Sequence, residues 1–376
     1  MSKLLNSEIE KRVSVRLDRS INEGDGQASG IMRFGEQNDY PQVIEKLIYG
    51  SQTAKAASKI MAKFIGGDGF TDTSLGAIRV GTDDKGKPIT LDKIRRQAAQ
   101  SLAIYGGLFG HANMNANGEV GSTNILPFKN CRFSTVDAKG NCGKVAVHDN
   151  WEKDKDKGVF NKDLIQWFPL FNPSAVLANM KESGKKAFKG QVFFMFIDDT
   201  YLYPLSPFDS VFNDMDTEFQ IQLFKNREIR NGFTDKIVVS VAEPEDEEAG
   251  REMNKKIQSW MGAEGDKALV MTAKFDDKGE LVKDEPFKIE PVKTNINPDL
   301  FNNIETSISN NIRKAANGMP AILIDYQQGG LAQASGAMLI EATNVYNAYI
   351  SEYRDSLAEF LREVYINLSL IHISEP

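Results

Sequence analysis

The 376 residues, at about 150 per domain, correspond to two or three structural units with room for a sizeable core. Apolar residues at 41%, charged residues at 26% and 13 prolines exclude a disordered, collagen-like or low-complexity chain. With 45 basic and 52 acidic residues the net charge is −7, the wrong sign for tight, sequence-independent binding of phosphate backbones. Apolar runs such as 192–197 fall far short of the eighteen or more residues of a membrane span, and residues 1–19 carry no apolar core of a secretory signal. Neither a membrane nor a secretory role is expected.

Residues 1–38 place Gly24, Gly26 and Gly30 among charged side chains without sustained periodicity, which predicts an N-terminal arm. From Pro41, apolar residues at Val43, Leu47, Ala54, Ala57, Ile60, Met61 and Phe64 recur at threes and fours until Gly66-Gly67, predicting one helix of about 24 residues. A second helix is predicted after the N-cap Thr90, through Ile94, Ala98, Leu102 and Tyr105 to Gly106-Gly107. From 108 to 203 short apolar or alternating runs broken by turns such as Asn117-Gly118 predict a β-rich stretch, clearest as strands at 145–151 and 191–197. A helix over 216–230 then leads out to Asn231-Gly232.

A small α/β insertion follows. Strands are predicted at 236–241, 268–272 and 287–292, with a helix opened by Glu243-Pro244-Glu245-Asp246-Glu247-Glu248 and carrying Lys255 and Lys256 toward its end, a charge order the helix macrodipole explains by itself. Asn297-Pro298-Asp299 begins a returning helix whose Leu300, Ile304, Ile308 and Ile312 form an i, i+4 stripe. Its other face, Asn302, Asn303, Thr306, Ser307, Ser309, Asn310 and Asn311, is polar and mostly uncharged, where a solvated helix ordinarily carries Glu and Lys. Gly318-Met319-Pro320 ends it. Gln327-Gln328-Gly329-Gly330 forms a polar loop, and a long helix over 335–365 carries one broad apolar face that requires partners. Residues 367–376 read as a non-native tail.

Candidates for chemistry are few. Cys131 and Cys142 have neither metal-site spacing nor a second pair, and His111, His148 and His372 have no His or Cys neighbour at helical or hairpin spacing. Gly66-Gly67-Asp68-Gly69 follows a helix and lacks the Lys-Ser/Thr of a phosphate loop. Asp198, Asp199, Asp209, Asp214 and Asp216 are enough carboxylate for a two-metal nuclease, although turn and strand-end Asp serve local hydrogen bonding equally well. No enzyme, cofactor or metal is expected.

The order of parts carries more. An arm, a helix-and-sheet unit, a helix out, a small α/β insertion, a helix back, a Gly-interrupted loop and a long helix together resemble the portal proteins of tailed double-stranded DNA phages over about residues 34–366. The stretches that carry the resemblance are Asn231-Gly232 with its strand, the helix 245–260, Gly265-Asp266-Lys267-Ala268-Leu269-Val270, and Asn297-Pro298 through Met319-Pro320. Ala334-Ser335-Gly336 before Glu341, Ala342, Tyr346 and Asn347 is similar too, as are Asn38-Asp39-Tyr40-Pro41, Tyr105-Gly106-Gly107-Leu108-Phe109-Gly110 and Tyr203-Pro204 with Pro207 to Asp209.

The resemblance implies an α+β chain with an arm (1–38), a wing (39–211), a stem helix (212–231), a clip (232–296), a returning stem helix (297–317), a tunnel loop (318–334) and a long wing helix (335–366) leading to a crown that this chain lacks. It implies a homo-oligomeric ring, usually a dodecamer, at the capsid vertex, through which DNA is packaged and ejected without sequence specificity. Its partners would be the major capsid protein, the large terminase, scaffold, and head-completion or tail adaptor proteins. Its place would be the virion, and the host cytoplasm during assembly. A sliding duplex needs a weakly charged lumen, so Asn303, Ser307, Asn310, Asn311 and the loop Gln327, Gln328, Gly329, Gly330 are the expected channel residues. Glu245, Asp246, Glu247, Glu248, Lys255 and Lys256 are the expected terminase- or adaptor-facing residues of the clip. The alternatives are another head-tail connector, usually a shorter chain, and a carboxylate-dependent metal nuclease.

Overall fold

A computed structural model describes residues 30–35, 38–83, 85–115, 117–136, 142–149, 151, 164–184, 187–198, 201–230, 236–241, 287–292, 298–324 and 336–365. The described residues of Met1–Asp216 and Ile308–Pro376 form one compact unit, and those of Thr217–Ser307 form a second. Packed structure begins earlier than the arm reading of 1–38 allows. Ile31 bridges Ser134, the Met32 amide donates to Phe133 O at 2.9 Å, and the Phe34 ring stacks on Tyr40 at 4.7 Å and on Tyr203 at 4.3 Å. Three apolar side chains in so short a span bury enough surface to hold the backbone, whatever the glycines around them favour.

The first helical stretch is two helices, α1 (Tyr40–Gly50) and α2 (Gln52–Gly66), where the periodicity predicted one. Gly50 is a poor helix former, and Ser51 takes an extended conformation whose Oγ accepts the Ala54 amide at 3.0 Å. A capping serine competes with helix continuation and wins here because the apolar stripe runs through the bend unbroken. A single turn, α3 (Thr73–Gly76), and a two-stranded hairpin, β1 (Arg79–Thr82) with β2 (Pro88–Thr90), come next, outside the predicted elements. Helix α4 (Leu91–Tyr105) is capped by Thr90 Oγ1 on the Lys93 amide at 3.3 Å and stopped by Gly106 at φ 70°. Gly106 is the one residue type that fits. A Cβ there would sit 2.5 Å from Leu205 O.

Two three-stranded antiparallel sheets make up the β-rich stretch. In the first, β3 (Gly107–Met114) is central between β4 (Val120–Leu126) and β8 (Gln191–Phe196), with Phe109 opposite both Leu126 and Phe194. In the second, β6 (Lys144–Val147) is central between β5 (Cys131–Phe133) and β7 (Gln166–Pro169). The strand predicted over 145–151 ends at Val147 because Trp151 turns inward, its Nε1 donating to Asn130 O at 3.0 Å in a cluster with Ile31, Ala146 and Ile165. Helix α5 (Val176–Ser183) interrupts the stretch.

Helix α6 (Phe212–Arg230) starts four residues before the predicted position, since Phe212 and Met215 are buried in the first unit. Strands β9 (Lys236–Val241) and β10 (Phe287–Val292) pair antiparallel, Lys236 opposite Val292 and Val241 opposite Phe287, at the predicted bounds. Helix α7 (Pro298–Ala315) follows, and within the second unit Lys225 Nζ pairs with Glu305 Oε1 at 2.6 Å. The predicted helix after Glu245 and the strand at 268–272 lie outside the described residues. Helix α8 (Gly336–Tyr365) is about 45 Å long and packs on α2 and α4.

Candidate functional site

A helix turns about 100° per residue, which places Asn303, Ser307, Asn310 and Asn311 within about 100° of one another on α7, with Ile308 and Ile312 outside that arc. The polarity follows that division. Ile308 and Ile312 are buried, whereas Asn303, Ser307 and Asn310 are exposed and Asn311 half-buried. Arg313 alters the electrostatics that the sequence suggested, because its guanidinium reaches back along the helix, Nη1 donating to Ser309 Oγ at 2.9 Å and Nη2 to Asn310 Oδ1. Lys314 is exposed one turn beyond Asn310. The Asn/Ser face is therefore neutral along most of its length and basic at its C-terminal end, where cations also complement the helix dipole.

The C-terminus of α7 is anchored on α8. The Asn317 and Gly318 backbones take left-handed φ values of 58° and 69°, and the Gly318 and Met319 amides donate to Lys314 O and Arg313 O, closing the helix. Tyr346 Oη then donates to Ala316 O at 3.0 Å and Asn317 Nδ2 to Tyr349 O at 2.8 Å. Burial pushes the Tyr346 hydroxyl above its ordinary pKa, so it stays a neutral donor. The last turn of α7 is thus held by a buried contact with α8.

The broad apolar face predicted for the last helix divides in two. Tyr346, Ile350, Leu357, Phe360, Leu361, Val364 and Tyr365 are buried; the Phe64 ring meets Tyr346 edge-on at 4.9 Å, and the Tyr365 hydroxyl hydrogen-bonds Thr123 Oγ1. Arg354 Nη2 donates to Phe64 O at 3.1 Å and to Asn347 Oδ1 at 2.8 Å. Toward the N-terminus Met338 at 56%, Ile340 at 63% and Tyr349 at 55% exposure are uncovered, with Leu339 and Val345 beside them. Periodicity alone does not distinguish these halves.

The remaining candidates separate. Gln327, Gln328, Gly329 and Gly330, and Glu245, Asp246, Glu247, Glu248, Lys255 and Lys256, lie outside the described residues. Burial pushes the Cys131 thiol up to about 12, leaving it an unreactive core group. His111 Nε2 bonds to Lys189 O at 2.5 Å, and His148 packs against the Trp151 ring. Asp209 Oδ1 accepts from Tyr40 Oη at 2.9 Å, an interior bond that ties α1 to the loop after β8. Among the described residues no three His, Cys, Asp or Glu side chains converge as metal ligands.

No protein-family model and no curated protein matches the sequence. Several solved structures are similar in fold. The neck of a native gene transfer agent particle, determined with C12 symmetry, is 12% identical at TM-score 0.45, covering 96% of each chain. The virion of the native gene transfer agent particle is 12% identical at TM-score 0.43, covering 90% of this chain and 91% of that one. An HK97-family phage portal protein from Corynebacterium diphtheriae is 10% identical at TM-score 0.39, covering 80% and 84%.

Proposed function

We propose that this chain is a portal-type subunit that assembles into a ring at a capsid vertex and forms the channel for DNA packaging and ejection. The observation that carries the reading is topological. The chain leaves a helix-and-sheet unit along α6, reverses through the antiparallel β9–β10 ladder, and returns along α7, whose exposed Asn303, Ser307 and Asn310 form a neutral polar face. A duplex sliding past such a face meets few fixed cations and so little salt-dependent hold. In this reading α6 and α7 are stem helices, the ladder belongs to the clip, and the uncovered half of α8 is subunit contact. Gln327, Gln328, Gly329 and Gly330 belong to the tunnel loop, and Glu245, Asp246, Glu247, Glu248, Lys255 and Lys256 face the terminase or the tail adaptor.

The subunit itself performs no chemistry in this reading; a separate ATPase motor supplies the work. Capsid protein, scaffold, terminase and head-completion proteins are its partners, and the virion is its place. Native mass measurement and electron micrographs of the purified full chain test the assembly. A ring of about a dozen subunits around an open centre is expected, and a chain that stays monomeric at micromolar concentration refutes the ring.

A further inference from the structure

Helices α2 and α4 lie side by side, and a groove of 330 Å³ runs between them. Lys59 and Lys63 come to it from α2, one helical turn apart, and Arg95 and Arg96 from α4. Four cations and no carboxylate line it, on a chain whose net charge is −7. Lys63 sits in the last turn of α2, where the dipole favours a cation, but Lys59 does not. Neither lysine makes an ion pair among the described residues, and both are exposed.

Behind these mobile charges stands a fixed one. Arg95 is 6% exposed and donates to Gly66 O, to Gly67 O at 2.9 Å, and to Asp92 Oδ1 at 2.5 Å. Asp92 is shared, because Arg96 Nη2 also reaches it at 2.8 Å, so one carboxylate serves two guanidinium groups and the groove keeps a surplus of positive charge. Its lining is also apolar in part, with the buried Ile104 and the ring of Tyr49.

Shape and charge together select the ligand. A rigid duplex presents its phosphates on a convex surface, would meet the two outer lysines only, and would gain nothing from Ile104. An extended peptide can lower an apolar side chain between the helices while its carboxylates meet Lys59, Lys63 and Arg96. We propose that this groove docks an acidic segment of a partner protein, an extended stretch with several carboxylates flanking one apolar side chain.

Fluorescence anisotropy of the full chain tests it, with a labelled peptide of about twelve Asp and Glu residues around one central Leu as the probe. Wild type should bind the peptide, more weakly as salt rises from about 50 to 300 mM. The double variant Lys59→Glu/Lys63→Glu should bind at least about tenfold more weakly with an unchanged melting midpoint, since both side chains are exposed. Replacing the peptide's Leu by Ser should weaken binding several-fold. Undiminished peptide binding by the double variant, or no binding by wild type, overturns the proposal. So does a 20-base-pair duplex that binds as tightly as the peptide and is lost in the same variant, which would make the groove a phosphate-backbone contact.

Discussion

Arg132 is fully buried on β5 with no carboxylate in ion-pair contact among the described residues, and replacing it tests how this core tolerates a charge. Its guanidinium is held by oxygens: Nε donates to Asn38 Oδ1 at 2.5 Å, Nη2 to Asn38 O at 2.8 Å, and Nη1 to Cys131 O at 2.7 Å and Lys129 O at 3.1 Å. The Phe34 and Trp151 rings lie 6.0 and 5.5 Å from it. Burial pushes its pKa down to about 10, so the cation is retained at neutral pH. Four hydrogen bonds from a charged donor, each worth about 1.5–3 kcal/mol, outweigh a desolvation cost of several kcal/mol. Arg132→Met removes both sides of that balance and leaves Asn38 O without its donor, so a net loss of about 2–4 kcal/mol is expected. Arg132→Lys should lose as much or more, because it keeps the buried charge but not the fork of donors. Urea unfolding followed by tryptophan fluorescence reads this directly, since Trp151 packs over the guanidinium. A Met variant within about 0.5 kcal/mol of wild type, or a Lys variant equal to it, would refute the hydrogen-bond account.

Gly106→Ala forces a side chain into φ 70° and to 2.5 Å from Leu205 O, and should cost about 2–4 kcal/mol in the thermal unfolding of the chain. Alkaline pH should also destabilise. Burial raises Cys131 from 9.0 to about 12 and Tyr365 from 10.0 to about 12, and pushes Tyr105, Tyr203 and Tyr346 upward too. Their stabilisation is complete below pH 9 and lost above it, approaching about 1.4 kcal/mol per pH unit for each group once its ordinary pKa is passed. Arg132, lowered from 12.5 to about 10, acts in the opposite sense above pH 10 but is one group against five. A urea midpoint that does not fall between pH 8 and 10.5 would contradict these environments. Ile340→Asp on the uncovered half of α8 should leave the melting of the subunit within about 0.5 kcal/mol and shift its native mass toward monomer; an unchanged mass would remove this surface from subunit contact.

Several elements were legible because their determinants are local. Thr90 and Gly106 delimit α4, Asn117-Gly118 turns β3 into β4 with Gly118 at φ 85°, and β9 and β10 keep the bounds their alternation suggests. The Asn/Ser face of α7 was legible from helical period alone, and its exposure agrees at Asn303, Ser307 and Asn310. Other features depended on partners distant in the chain. The break at Ser51 lies inside an unbroken apolar stripe, Ile31 and Phe34 are held by strands and rings more than 90 residues away, and Trp151 leaves its expected strand to bond Asn130. Arg313 reads as an ordinary last-turn cation until its guanidinium is seen lying along the polar face.

The amino-acid sequence by itself determined the ends of α4, the bounds of β9 and β10 and the polar face of α7, because capping, turn chemistry and periodicity act over a few residues. Only tertiary structure decided which apolar face is covered. The residues of α8 that meet α2 and α4 are core, whereas Met338, Ile340 and Tyr349 stay exposed, although both sets share one periodicity. It alone brought Lys59 and Lys63 beside Arg95 and Arg96, since charges from separate helices accumulate in one groove only when those helices pack side by side.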